Sequence, residues 1–144
     1  MLQEKEKLSK YFTQNIDGLE KLAGLRDEKV VEAHGTFSSA SCVHCKTEYS
    51  IERLREEIMA DQDPKCPKCG NWVKPNIVFF GEQLPRRFFD EAEIDCLFSD
   101  LMICIGTSLE VYPFAGTILS YVMWKMMMSL QGLLTPRSTP LPAC

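Results

Sequence analysis

Two pairs of cysteines, Cys42-x2-Cys45 and Cys66-x2-Cys69, stand with twenty residues between them. Two residues between thiols let both reach one metal ion from a single tight turn. Two such turns, brought together, supply four soft ligands in a tetrahedron, which is the pattern of structural zinc. A closed four-thiolate shell leaves no position for water or substrate. Metal held this way supports structure, and the chemistry must lie elsewhere. Two disulfides are the competing reading, but a disulfide across two residues is a redox motif, and a small domain seldom carries two. Pro64, Pro67 and Gly70 surround the second pair and suit a sharp turn. Iron fits the same four thiolates, but zinc is the commoner occupant. His44 lies inside the first pair and is read as solvated, because four cysteines already complete the shell.

The other histidine, His34, closes the segment VVEAHG at 30–35. Histidine titrates near neutrality and can take a proton from a hydroxyl, so a general base is one reading. A structural histidine held by hydrogen bonds is the other.

These groups need elements to position them. Residues 2–10 read as part of a helix that ends where YFTQNI begins a strand, and VVEAHG reads as a second short strand. The metal module follows at 38–73. Inside it Ile51, Leu54 and Ile58 recur at helical spacing after Ser50, a suitable N-cap. IVFFG at 77–81 reads as a buried strand. Pro85 then opens a helix carrying Phe88, Phe89, Ala92 and Cys96. LMICIG at 101–106 reads as another buried strand by its unbroken apolar run.

Such alternation predicts an α/β fold with a largely parallel sheet. Each strand ends in residues suited to a ligand: Gln14-Asn15, His34-Gly35, Gly81-Glu82 and Gly106-Thr107-Ser108. In an open parallel sheet the carboxyl ends of the strands line the ligand crevice. The zinc module is then an insertion between strands.

Composition narrows the classes further. The 144 residues fit a single domain, and the net charge of -4 with no basic stripe argues against direct nucleic-acid binding. Cys96 and Cys104 lie in apolar contexts and read as core residues, a usage that suits a reducing compartment. The opening MLQEKEKLSK is charged, unlike a secretory signal, and too acidic for a mitochondrial transit peptide. From Leu119 the chain is Met-rich and then Pro/Ser/Thr-rich, and its last ten residues read as disordered. The Met run suits a core helix, a membrane-surface helix or an unselected sequence. With Lys125 inside it, it is too short for a transmembrane span.

Five motifs stand in one order: Thr13-Gln14-Asn15-Ile16-Asp17, Glu32-Ala33-His34-Gly35, the cysteine pairs, Lys74-Pro75-Asn76-Ile77-Val78-Phe79-Phe80-Gly81-Glu82, and Gly106-Thr107-Ser108-Leu109. This order resembles the class I sirtuins, NAD-dependent protein lysine deacylases, over residues 8–118. The short first cysteine pair and Gly18 are most similar to the mitochondrial type, although a nuclear or cytoplasmic place stays open. The resemblance implies an incomplete Rossmann-like sheet, with residues 1–37 and 74–118 in the NAD-binding domain, 38–73 in the zinc module and 119–144 a divergent tail. It implies that His34 deprotonates the NAD ribose once the acetyl oxygen has displaced nicotinamide. Gln14, Asn15, Ile16 and Asp17 would contact the nicotinamide and its ribose, and Gly106, Thr107 and Ser108 the adenosine ribose. Amides and a carboxylate suit those partners, though an ordinary Asn/Asp turn has the same composition. Val78, Phe80, Gly81 and Glu82 would form the acyl-lysine cleft, which is apolar because acylation removes the lysine charge. Phe79 reads as core. An acetylated peptide would add as a strand beside 81–83 and 109–111.

The chain also departs from the family. Asn76 stands where Asp is usual, which removes a charge and is expected to loosen a local hydrogen bond. Tyr112 stands where Glu or Gln is usual. Nothing before Thr13 supplies the glycine-rich loop that cradles the NAD diphosphate. A later strand with its Asn-bearing loop is also missing. The 144 residues alone are therefore expected to bind NAD poorly, and to expose strand edges and apolar faces. The alternative to an enzyme is a non-catalytic zinc-containing module that binds a peptide or partner.

Overall fold

The computed structural model describes residues 1–134. The ten terminal residues, where the sequence suggests disorder, lie outside the described residues. The chain divides into two compact units, Met1–Glu91 and a second that begins at Ala92.

In the first unit, β1 (Tyr11–Thr13) and β2 (Val30–Glu32) form a parallel pair, with Phe12 opposite Val31. Val30 and Val31 are both buried, as the β-branched pair of a covered parallel strand should be. A short helix, α1 (Leu19–Leu22), and a 3-10 turn at Asp27–Lys29 make the crossover. This parallel unit is the Rossmann-like part of the α/β fold.

The inserted module has its own antiparallel sheet, ordered β4–β3–β5: β3 is Gly35–Cys42, β4 is Glu48–Tyr49 and β5 is Val73–Ile77. Helix α2 (Ile51–Met59) starts at Ser50, whose side chain accepts from the Arg53 N–H at 3.1 Å. It buries Leu54 in a small core with Ala40, Cys42, Cys66 and Val73. Ile58, read as the third member of the apolar stripe, is exposed.

Three further expectations for the first unit differ from what is found. Residues 2–10 do not form a helix. They make one turn, with Lys7 N–H donating to Leu2 O at 3.0 Å, and Glu6 takes a positive φ of 53° that stops propagation. So short a segment cannot offset the cost of helix nucleation. The strand expected at 77–81 lies earlier, at Val73–Ile77, and pairs antiparallel with β3. Pro75 and Asn76 disguise it, but β5 is an edge strand, where a missing N–H is tolerated. Phe79, expected in the core, is half-exposed beyond the strand end.

The second unit holds the C-terminal part of α3 (Arg86–Phe98) and all of α4 (Phe114–Leu134). Pro85 accepts from the Phe88 N–H at 2.9 Å as α3 begins, and Phe88, Ala92 and Cys96 are buried. The apolar run 101–106 is neither a strand nor buried: Ile105 is 84 % exposed and Cys104 is exposed too. A strand needs a neighbour for its backbone groups, and among the described residues none pairs with this run. The Met-rich run is helical, with Met123, Met126 and Met127 exposed. No described helix is long and apolar enough to cross a membrane.

Candidate functional site

The four cysteines form one cluster, with all four sulfurs within 4.8 Å of one another. Cys42 and Cys69 are 3.4 Å apart, Cys45 and Cys69 3.4 Å, and Cys45 and Cys66 3.6 Å. Four sulfurs at about 2.3 Å from a tetrahedral zinc lie about 3.8 Å from each other, so the cage fits that ion. It does not fit disulfides, whose sulfurs are bonded at about 2 Å.

Each pair sits in the same kind of turn. Lys46 N–H donates to Cys42 O at 3.2 Å, and Gly70 N–H donates to Cys66 O at 2.9 Å. The residue after each second cysteine is left-handed: Lys46 at φ 56° and Gly70 at φ 70°. Cys42 and Cys66 are buried, Cys45 is half-buried and Cys69 is exposed. Burial pushes the Cys42 thiol up to about 11. Hydrogen bonds from Thr47, side chain first and then backbone, hold Cys45 down at about 6. A bound cation would draw all four sulfurs to the thiolate state. His44 is exposed, as its solvated reading requires.

The second cluster follows from the parallel pair. Since β1 and β2 run together, the residues after their carboxyl ends meet. Ala33 N–H donates to Thr13 O at 2.9 Å, and His34 Nδ1 lies 2.9 Å from Gln14 O. A carbonyl only accepts, so Nδ1 carries the hydrogen and the neutral ring keeps its lone pair on Nε2. The backbone of His34 is engaged on the other side: Val78 N–H donates to His34 O at 2.9 Å. One half-buried histidine therefore ties the 13–17 turn to the 77–82 segment.

The other expected residues are distributed around it. Asn15 and Asp17 are exposed, and Ile16 is half-buried. Asn15 N–H is held by the Thr13 hydroxyl at 3.1 Å. The Asp17 carboxylate accepts from Leu19 N–H at 3.1 Å as α1 starts, an Asx turn that fixes the loop. Val78 is half-buried, Phe80 is fully exposed and Gly81 takes φ 87°. Glu82 Oε2 accepts from Phe79 N–H at 2.9 Å and from Lys74 Nζ at 3.0 Å. Lys74 opens the 74–82 motif, but the sequence gives it no role, because its reach to Glu82 depends on the turn between them. Gly106, Thr107 and Ser108 belong to the second unit, where the Thr107 hydroxyl accepts from Leu109 N–H at 3.1 Å and Gly106 takes φ 70°.

The expected loosening at Asn76 is not found. Its Oδ1 accepts from Ser41 Oγ at 2.6 Å, and its Nδ2 donates to Ser39 Oγ at 2.8 Å. The amide uses both its faces against two serines of β3.

The comparisons with known proteins agree with these features. The Sir2 family model matches residues 1–113. The NAD-dependent protein deacetylase sirtuin-3 of Mus musculus is 50% identical over 116 residues, covering 81% of this chain and 34% of the mouse protein. The NAD-dependent protein deacetylase sirtuin-2 of Danio rerio is 48% identical over 120 residues, covering 82% of this chain and 32% of its own length. A solved Sir2–p53 peptide–NAD+ structure superposes with a TM-score of 0.76 at 39% identity, covering 85% of this chain and 50% of that one. The chain spans about a third of the length of these curated relatives. By the family match, the shared fold and the four-cysteine cage, this chain belongs to the Sir2 family.

Proposed function

We propose that this chain carries the general base, the acyl-lysine segment and the structural metal module of an NAD-dependent protein lysine deacylase. The observation that carries the reading is the double engagement of His34, by its ring to Gln14 O and by its backbone carbonyl to Val78 N–H. A base must sit between the cofactor's ribose and the incoming acyl group, and His34 bridges the two segments that would hold them. In the reaction, NAD supplies the ADP-ribose that accepts the acyl group as nicotinamide leaves. The Nε2 lone pair of His34 takes the ribose hydroxyl proton. Gln14 O keeps the ring oriented. Asn15, Ile16 and Asp17 would hold the nicotinamide end, while the adenosine-ribose role of Gly106, Thr107 and Ser108 rests on the family resemblance alone.

Val78 and Phe80 offer apolar surface to a neutral acyl-lysine arm, beside Gly81 and Glu82. The substrates are proteins or peptides bearing acetyl-lysine, the class suggested by the peptide in the solved relative. Zinc at Cys42, Cys45, Cys66 and Cys69 keeps β3 and β5 in register and takes no part in the chemistry. The mitochondrial assignment rests on Gly18 and the short first cysteine pair, since identity to sirtuin-3 and sirtuin-2 is nearly equal.

The test is a hybrid in which residues 8–118 replace the matching segment of mouse sirtuin-3. It should release nicotinamide in step with deacetylation of an acetyl-lysine peptide. His34→Tyr should lower that rate about a hundred- to ten-thousand-fold, the usual worth of a general base. Equal turnover with and without His34 would refute the assignment. Peptide binding without nicotinamide release would favour the non-catalytic module instead.

A further inference from the structure

We infer that Lys74 is a positioning residue for the acyl-lysine segment: it clamps residues 77–82 so that Val78 and Phe80 are presented in a fixed shape. The inference rests on the deacylase reading above for its purpose, but the clamp itself is independent of it. Lys74 lies on β5, opposite Ser41, with its side chain 23% exposed. Its ammonium has three donors. One meets Ile77 O at 2.6 Å and another meets Glu82 Oε2 at 3.0 Å. The same nitrogen stands 4.5 Å from the centre of the Phe79 ring, within cation–π reach.

Beyond Ile77 the segment it holds belongs to no described strand, and Val78 N–H donates to His34 O at 2.9 Å. Its backbone closes on itself, with Glu82 N–H donating to Phe79 O at 3.0 Å. The Glu82 carboxylate turns back to accept from Phe79 N–H at 2.9 Å. Glu82 is therefore occupied in holding the turn. The cation binds both its ends, Ile77 O on the strand side and Glu82 on the far side. The Phe79 N–H and then Lys74 hold the Glu82 carboxyl below its ordinary range, as a paired carboxylate should be. Phe79 lies under the ammonium, while Phe80, next in the chain, is left fully exposed. With Phe79 pinned, Phe80 is the one offered to an apolar ligand.

The shape is tested on the zinc-loaded 144-residue chain by amide hydrogen exchange. Lys74→Met keeps the stem and removes the charge. It should raise exchange at Phe79 and Glu82 at least fivefold, with the amides of 40–42 and the zinc content unchanged, and Lys74→Arg should restore the slow exchange. Equal exchange at Phe79 in Lys74→Met and the parent overturns the clamp, whether or not the chain is an enzyme. The purpose is tested in the sirtuin-3 hybrid. There Lys74→Met should raise KM for the acetyl-lysine peptide about tenfold with kcat within twofold of the parent, and Lys74→Arg should recover it. A loss confined to kcat overturns the assignment as a substrate-segment positioner. An inactive parent hybrid counts against the deacylase reading alone, because the exchange result still decides the clamp.

Discussion

Gly35 packs its bare Cα against the Asn76 carbonyl, so closely that a Cβ there would overlap that oxygen and stand 2.9 Å from Ile77 Cα. Gly35 also takes φ 76°, which L side chains resist. This contact is where the chain leaves the His34 turn and enters the module. Gly35→Ala is expected to cost about 2–5 kcal/mol, from left-handed strain together with overpacking. Since Val78 N–H and His34 O meet just beyond the contact, the variant should also separate those two groups. Thermal unfolding of the zinc-loaded protein checks the cost. A melting temperature within 2 °C of the parent, roughly 0.5 kcal/mol for a domain of this size, would contradict it.

The sequence makes the cysteine cage legible because metal-ligand spacing is a local rule, and the two turns close within five residues each. Helix α2 is legible for the same reason, through Ser50 and Leu54. Strand β5 is not, because its Pro75 and Asn76 contradict strand propensity and only its edge position tolerates them. The run 101–106 misleads in the opposite sense. Its apolar residues meet every local criterion for a buried strand, yet burial and pairing depend on neighbours that lie elsewhere in sequence. The bond between His34 and Gln14 O is implied by parallel pairing, but its ring nitrogen could not be read without coordinates. Lys74 opens the 74–82 motif, but its role is not legible there, because it depends on a side chain reaching across a turn to Glu82.

The Asn76 amide predicts an asymmetry between two substitutions. In Asn76→Asp, the Ser39 hydroxyl can rotate from acceptor to donor, and both serines then serve one carboxylate. Stability should change by less than about 0.5 kcal/mol, the usual range for a surface change without lost partners. Asn76→Ala leaves both hydroxyls without their partner and should cost about 1–2 kcal/mol. Urea unfolding of the three proteins decides it; an Asp variant as weak as the Ala variant would sink the argument.

One zinc per chain is expected in reduced protein, measured by elemental analysis. Cys66→Ala removes a buried ligand and should release the ion. Structural zinc contributes on the order of 10 kcal/mol in small sites, so β3, β5 and α2 should unfold with it. A chelator added to the parent should produce the same loss of helix and of slow amide exchange over 40–54. Unchanged spectra after complete metal removal would show that the module folds on its apolar core alone.

Glu91 provides a pH test remote from the metal. It pairs with Lys10 and, at 3.0 Å, with Arg87, while Lys10 Nζ donates to Glu28 O at 2.8 Å and Arg87 reaches Asp27 O at 3.3 Å. The carboxylate thus holds the two cations that satisfy the carbonyls of the 3-10 turn. Burial pushes its carboxyl upward, but Lys10 and then Arg87 outweigh burial and leave it below the ordinary 4.5. A depressed carboxyl contributes stability that is complete above the unfolded value and is lost as pH falls through the folded one. Glu91→Gln should therefore be weaker than the parent by on the order of 1 kcal/mol at neutral pH. The gap should stay constant down to about pH 5 and close below about 4.5. A gap that widens with acidity would reverse the sign and refute the pairing.

The tautomer of His34 is the most direct check on its chemistry. Nδ1 stands 2.9 Å from Gln14 O, and a carbonyl oxygen has no hydrogen to give, so the ring must donate there. In the neutral ring the second nitrogen, Nε2, then carries the lone pair. A ring held the other way, with hydrogen on Nε2, would present a donor to an incoming hydroxyl and could not remove its proton. Two-bond nitrogen–proton correlation spectra of the zinc-loaded chain near pH 8.5 distinguish the two forms without any cofactor or turnover. His34 should appear as the Nδ1–H tautomer, and the exposed His44 serves as the comparison within the same spectrum. An Nε2–H signal for His34 at that pH would break the inference from geometry to base, whatever the fold.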